Sequence, residues 1–227
     1  MVNQPGRQFM SSIRLRYTAV TAALSLAIAG AASAAPLYQS AANSGNDTGE
    51  YILSENDLIG GVFTLSGTTN ITAIGAQFGG FPGGDIFGAI VAVDAHTGLP
   101  AGASNDLANT ALGHVLFSVT GGVHDQSAAL PLTLGAGTYA VVFGSGQFGA
   151  TGWAGLGYLN DPVGSPSLVR SFFSTDWSGF NDDGVRVFVD GTAASPAPEM
   201  ATWGMLLIGF GGIGGAMRMR RRSVHFA

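Results

Sequence analysis

Between Ala35 and Ala194 the chain is a series of short apolar stretches cut by glycine. No 15-residue window there sustains the 3.6-residue period of an amphipathic helix. The stretches 59–65, 71–78, 86–93, 114–119, 129–134, 138–143, 168–173 and 185–189 are rich in Val, Ile, Phe, Thr and Tyr. Gly, Asn, Asp and Pro separate them, as turn residues separate strands. Loops are expected at 79–85, 97–100 and 181–184. About eight strands in some 160 residues predict an all-β domain, an antiparallel β-sandwich of jelly-roll type.

Composition tightens this reading. Glycine fills 36 of 227 positions, about 16%, where roughly 7% is usual. Hydrophobic residues make up 46%, enough for a core, so the bulk of the chain is not disordered for lack of apolar material. There is no cysteine, which excludes a disulfide scaffold, a zinc–cysteine site and a thiol nucleophile. The length suits one domain with added segments.

The charge is unevenly spread. All nine basic residues are arginine, and three of them, Arg7, Arg14 and Arg16, lie near the start. Residues 35–195 hold two arginines, Arg170 and Arg186, against thirteen carboxylates, a net charge near −11. Such a domain repels phosphate, so no nucleic-acid partner is expected, nor adhesion to anionic lipid through a basic patch.

Both ends differ from the middle. The early arginines precede a 13-residue apolar run at 17–29, the length of a signal-peptide core and short for a membrane span. Ala32 and Ala34 place small residues at −3 and −1 of a cleavage site, so residues 1–34 read as an export signal for the Sec translocon, starting at Met1 or Met10. Residues 195–227 have three parts. Pro196 and Pro198 hold an extended stretch around Glu199. Residues 200–217 are uncharged and, as a helix, span about 27 Å, enough to cross a bilayer. Arg218, Arg220, Arg221 and Arg222 then form a stop that stays cytoplasmic.

This order, Pro198-Glu199, Thr202-Trp203, a glycine-rich apolar helix, then arginines, resembles the PEP-CTERM sorting signal of Gram-negative bacteria, with Met200 where that signal usually has proline. The resemblance implies a transient inner-membrane anchor and recognition by an exosortase at Pro198 and Glu199. It further implies release to the cell surface or medium, in association with exopolysaccharide and biofilm. A permanent single-span anchor has the same hydropathy. Residues 35–194 in turn resemble β-sandwich ectodomains that often precede this signal, through Asn70-Ile-Thr-Ala-Ile-Gly and the strand entry Gly137-Thr-Tyr-Ala-Val-Val-Phe143. That likeness concerns packing and implies no ligand.

Catalytic motifs are sparse. Gly144-Ser-Gly-Gln-Phe-Gly149 matches G-x-G-x-x-G, but Ala150-Thr-Gly-Trp-Ala-Gly does not open the helix that would bind a pyrophosphate. His96, His114 and His124 are isolated, and there is no H-E-x-x-H or G-x-S-x-G. Asn181-Asp182-Asp183-Gly184 and Asn46-Asp47 offer oxygen ligands for Ca²⁺, or else form solvated Asx turns. Aromatic residues crowd 148–180: Phe148, Trp153, Tyr158, Phe172, Phe173, Trp177 and Phe180. Trp177 with Asp176, Asp182 and Asp183 would suit a sugar, with ring stacking and hydrogen bonds; the same rings equally fill a core. The expectation is a non-enzymatic exported surface or matrix protein without a cofactor. A secreted hydrolase or lyase on a jelly-roll scaffold and a self-associating anchored module stand as alternatives.

Overall fold

The computed structural model describes residues 35–45, 49–182 and 184–193. In chain order the strands are β1 (Tyr38–Gln39), β2 (Ala41–Ala42), β3 (Glu50–Leu53), β4 (Asp57–Leu65), β5 (Thr69–Gly83), β6 (Ile86–Ala92), β7 (Ala111–Phe117), β8 (His124–Leu134), β9 (Gly137–Gly144), β10 (Trp153–Gly157), β11 (Asp161–Pro162), β12 (Ser167–Phe172), β13 (Ser178–Phe180) and β14 (Val187–Ala193). One helical turn, α1 (Leu107–Thr110), precedes β7. The protein is all-β, and its strand pairs are antiparallel.

Two six-stranded sheets share the main core. In the first, the 15-residue β5 is the spine. It pairs with β8 along one side. Along the other it pairs first with β14, then with β10. β1 lies beside β14 and β3 beside β10. The second sheet runs β13-β12-β4-β9-β6-β7, and β2 with β11 forms a separate ribbon.

The second sheet is covered on both faces, which explains why its strands read as nearly continuous apolar runs. Ile59, Phe63, Ile86, Ile90, Val141 and Phe143 turn toward the first sheet. Their neighbours Leu58, Phe87, Ala89, Val91, Ala140 and Val142 form a second cluster with Leu107, Ala150 and Trp177, against which Leu99 and Phe148 also pack. The covering residues come from the β6–β7, β9–β10 and β12–β13 connections, so those three loops are held against the sheet at one place.

Among the described residues both arginines are in ion pairs. Arg170 bonds Asp57 through Nε to Oδ1 at 2.7 Å and through Nη2 to Oδ2 at 2.5 Å. Its guanidinium lies 4.3–5.0 Å from the ring centroids of Tyr51, Phe172 and Phe180. Arg186 bonds both carboxylate oxygens of Asp125 and also donates to Gln39 and to the Ala41 carbonyl.

The eight expected strands are present, with shifted ends. The loop expected at 79–85 is a strand through Gly83, and only Gly84 and Asp85 turn the chain. Gly80 (φ +72°) and Pro82 lie where the pairing with β10 is irregular, the place at which a strand tolerates such residues. β1, β2, β3, β10, β11 and β13 were not anticipated: they are short, and three of the five residues of β10 are glycine or alanine (Trp-Ala-Gly-Leu-Gly). The export signal, Ala32, Ala34, Pro198, Glu199, Thr202, Trp203 and the terminal arginines lie outside the described residues. Within them no helix is long and apolar enough to cross a membrane.

Candidate binding groove

The β3–β4 hairpin turns at Glu55-Asn56, with Ser54 and Asp57 bridged beneath. Two neighbouring loops hold this tip through the backbone. Ser145 N–H donates to the Ser54 carbonyl at 3.1 Å, and Phe173 N–H donates to the Asn56 carbonyl at 2.8 Å. The tip therefore sits between the β9–β10 and β12–β13 connections, the loops tied down by the second apolar cluster.

Three hollows open around it, and Glu55 lines all three. One of about 460 Å³ extends past Gly146 and Thr151 to Trp153. One of about 560 Å³ extends past Asn105 to Phe173. A third, of about 360 Å³, joins Asn56 and Asn105 to Gln147. The hollows adjoin: the first and third share Glu55, Ser145 and Gly146, the second and third share Glu55, Asn56 and Asn105, and an exposed aromatic ring lines each outer one.

Each ring is held in place. Trp153 is 52% exposed. Its six-membered ring lies over Gly83, where a Cβ would come within 2.4 Å of it. The absent side chain is what lets the indole lie against the sheet. Phe173 is 74% exposed and has φ +47°, a conformation that costs a bulky residue about 1–3 kcal/mol. Its ring packs edge-on to Phe172, centroids 4.6 Å apart. Among the described residues the side chains of Glu55, Asn56 and Asn105 make no hydrogen bond to protein. Gln147 is committed: its amide donates to the Ser104 carbonyl at 2.8 Å and accepts from Ala108 N–H at 3.3 Å.

Of the described residues expected to form a sugar site, Asp176 and Trp177 line one hollow and Asp182 lies elsewhere. Trp177 is only 8% exposed and belongs to the second apolar cluster, with its Nε1 buried and without a hydrogen-bond partner. It has no open face for a sugar, so that expectation is corrected: the ring anchors a loop. Asp176 is exposed near Asp94, whose carboxyl is held below the usual range by N–H donation from His96 and Thr97. Asp182 accepts from the Tyr51 hydroxyl at 2.7 Å, on the side of the main core. That bond, with burial, pushes the Tyr51 phenol up to about 12. Asp183 and Asp47 lie outside the described residues. Within them no group of three or more carboxylate or imidazole side chains converges on a point that would hold a cation such as Ca²⁺.

The other motifs also resolve. A strand, β10, follows the 144–149 loop, not the helix a dinucleotide site needs. His114 stacks on Phe148 at 4.1 Å, His96 sits in the Asp94 turn, and His124 bonds Gly122 and Thr120. Trp153 and Phe173 were among the aromatics noted in the sequence, but nothing there separates them from the buried Trp177. Glu55 carries no sequence signal at all. Glu50 was missed too: its carboxylate lies over Gly79, Gly80 and Gly155, and burial pushes its pKa up.

No family model matches this chain, and no curated protein matches it.

Proposed function

We propose that the chain is an exported cell-surface or extracellular-matrix protein, sorted by an exosortase and not itself an enzyme. The observation that carries this is the order at the C-terminus: Pro198-Glu199, then an uncharged run at 200–217, then four arginines within 218–222. Residues 1–34 supply the matching export signal. In this reading the tail is a transient inner-membrane anchor, removed near Pro198-Glu199. The two antiparallel sheets form a β-sandwich of jelly-roll type, which is released and joins exopolysaccharide.

In this reading the groove binds a ligand and does not hydrolyse it. Most glycosidases need two carboxyl groups flanking the scissile bond, and the three hollows are lined by one, Glu55. The sorting reading is tested by placing tags at both ends of the chain, in an exosortase-positive host and in its exosortase deletion strain. Loss of the C-terminal tag only when the exosortase is present is the expected result. An uncut, membrane-bound chain in both strains would overturn it and leave a permanent anchor.

A further inference from the structure

We propose that the groove over Glu55-Asn56 binds an uncharged polysaccharide chain, with sugar rings stacked on Trp153 at one end and Phe173 at the other. The inference takes only an extracellular setting from the proposed function; it is tested on purified protein, so it stands or falls separately from sorting.

Four observations point to this chemistry. First, an exposed aromatic ring lines each of two hollows that flank the Glu55 turn, Trp153 in one and Phe173 in the other. The C–H face of a pyranose is weakly positive and apolar, and it fits the negative face of an indole or phenyl ring. Second, between the rings Glu55, Asn56 and Asn105 present a carboxylate and two amides that are not used by the protein. These are the acceptors and donors that ring hydroxyls need, few and placed between apolar contacts. Third, the scaffold is preorganised. Gly83 seats Trp153 against the sheet, and backbone bonds from Ser145 and Phe173 fix the hairpin tip. Phe173 is held out to solvent in a conformation that a solvated loop would not choose for phenylalanine.

Fourth, charge selects the class of glycan. Among the described residues both arginines are in ion pairs, with Asp57 and Asp125, and the chain has no lysine. A uronate or sulfate placed beside Glu55 would meet a like charge with no cation to offset it, in a domain carrying about −11. The ligand is therefore neutral. Because adjoining hollows share lining residues between the two rings, the occupant we infer is an extended chain, not a single terminal sugar.

The test uses the full chain in mild detergent on an array of uncharged glucans, mannans, galactans and xylans, with alginate and hyaluronan as anionic probes. The best neutral oligosaccharide is then titrated calorimetrically. Trp153→Ala is expected to lower affinity about tenfold. Trp153→Phe, which keeps an aromatic face, should retain most of it. Phe173→Gly is the decisive variant, because glycine accepts the positive φ. Affinity should fall about tenfold while the melting temperature holds or rises, which separates binding from folding. Leu159→Ala, an exposed apolar residue outside the groove, should change nothing. The proposal is overturned by absence of binding to every neutral glycan, by preference for the anionic probes, or by Trp153→Ala and Phe173→Gly both binding as the parent does.

Discussion

Gly88, in β6, tests whether the glycines of this domain are packing devices or merely flexible links. Its position faces the first sheet. A Cβ there would lie 2.7 Å from Phe143 Cε1, 2.8 Å from Ile74 Cδ1 and 2.9 Å from Phe117 Cε2. Phe143 and Phe117 form an edge-to-face triad with Phe78, centroids 5.2–5.7 Å apart, so the missing side chain is the space the triad occupies. In Gly88→Ala one methyl must displace three core side chains, which costs about 1–3 kcal/mol. The lower entropy of the unfolded chain returns about 0.4–1 kcal/mol. The net loss is at most about 2.6 kcal/mol and centres on about 1.3 kcal/mol, or about 3–5 °C in a domain of this size. Gly67 is the control: nothing lies within 4 Å of a Cβ there and its φ is not positive. Gly67→Ala should gain about 0.4–1 kcal/mol and melt about 1–4 °C higher. Thermal unfolding of the full chain in mild detergent, followed by far-UV circular dichroism, gives both shifts. If the two substitutions move the midpoint in the same direction, the packing account of Gly88 is wrong.

Other consequences are as direct. Asp57→Ala leaves the mostly buried Arg170 guanidinium unpaired and should cost about 3 kcal/mol in urea unfolding, whereas Asp57→Asn, which keeps an acceptor, should cost less. Trp177→Ala should lose about 3–5 kcal/mol of stability, while Trp177→Phe, which removes a buried unpartnered N–H, should stay within about 1.5 kcal/mol of the parent. The Tyr51 phenol ionises near 12 in the folded chain and near 10 when unfolded, so the stability it confers is intact below pH 10 and drains away as pH rises toward 12. Urea midpoints between pH 9 and 12 should fall less steeply for Tyr51→Phe than for the parent, and parallel curves would refute the assignment.

The strands were legible because β propensity and turn chemistry act locally. Residues 59–65, 86–93 and 138–143 carry β-branched and aromatic residues between glycines, and all three are strands. β5 outran its expected end because Gly79, Gly80 and Gly83 read as loop residues. Their purpose is tertiary: the space above them is taken by Glu50 and Trp153. β3 and β10 are too short to announce themselves, and they exist because β5 offers an edge on which β10, and then β3, can pair. The two-sided burial of the second sheet has no local signature that says which loop covers it.

The sites follow the same division. The signals proposed for the two ends rest on length, hydropathy and charge along the chain, properties that a membrane reads without a fold. The expectation of no nucleic-acid partner likewise rests on the acidic, lysine-free composition alone. Which aromatic residue is buried and which is exposed is decided only by packing. Nothing in the sequence around Trp177 or Trp153 says which is buried, yet one fills a core cluster while the other lies over Gly83 facing solvent. Glu55 becomes central only because backbone bonds from Ser145 and Phe173, 90 and 118 residues further along the chain, converge on its hairpin. A sequence carries composition and local pattern; the juxtaposition of distant loops is set by the shared core that fixes them in place.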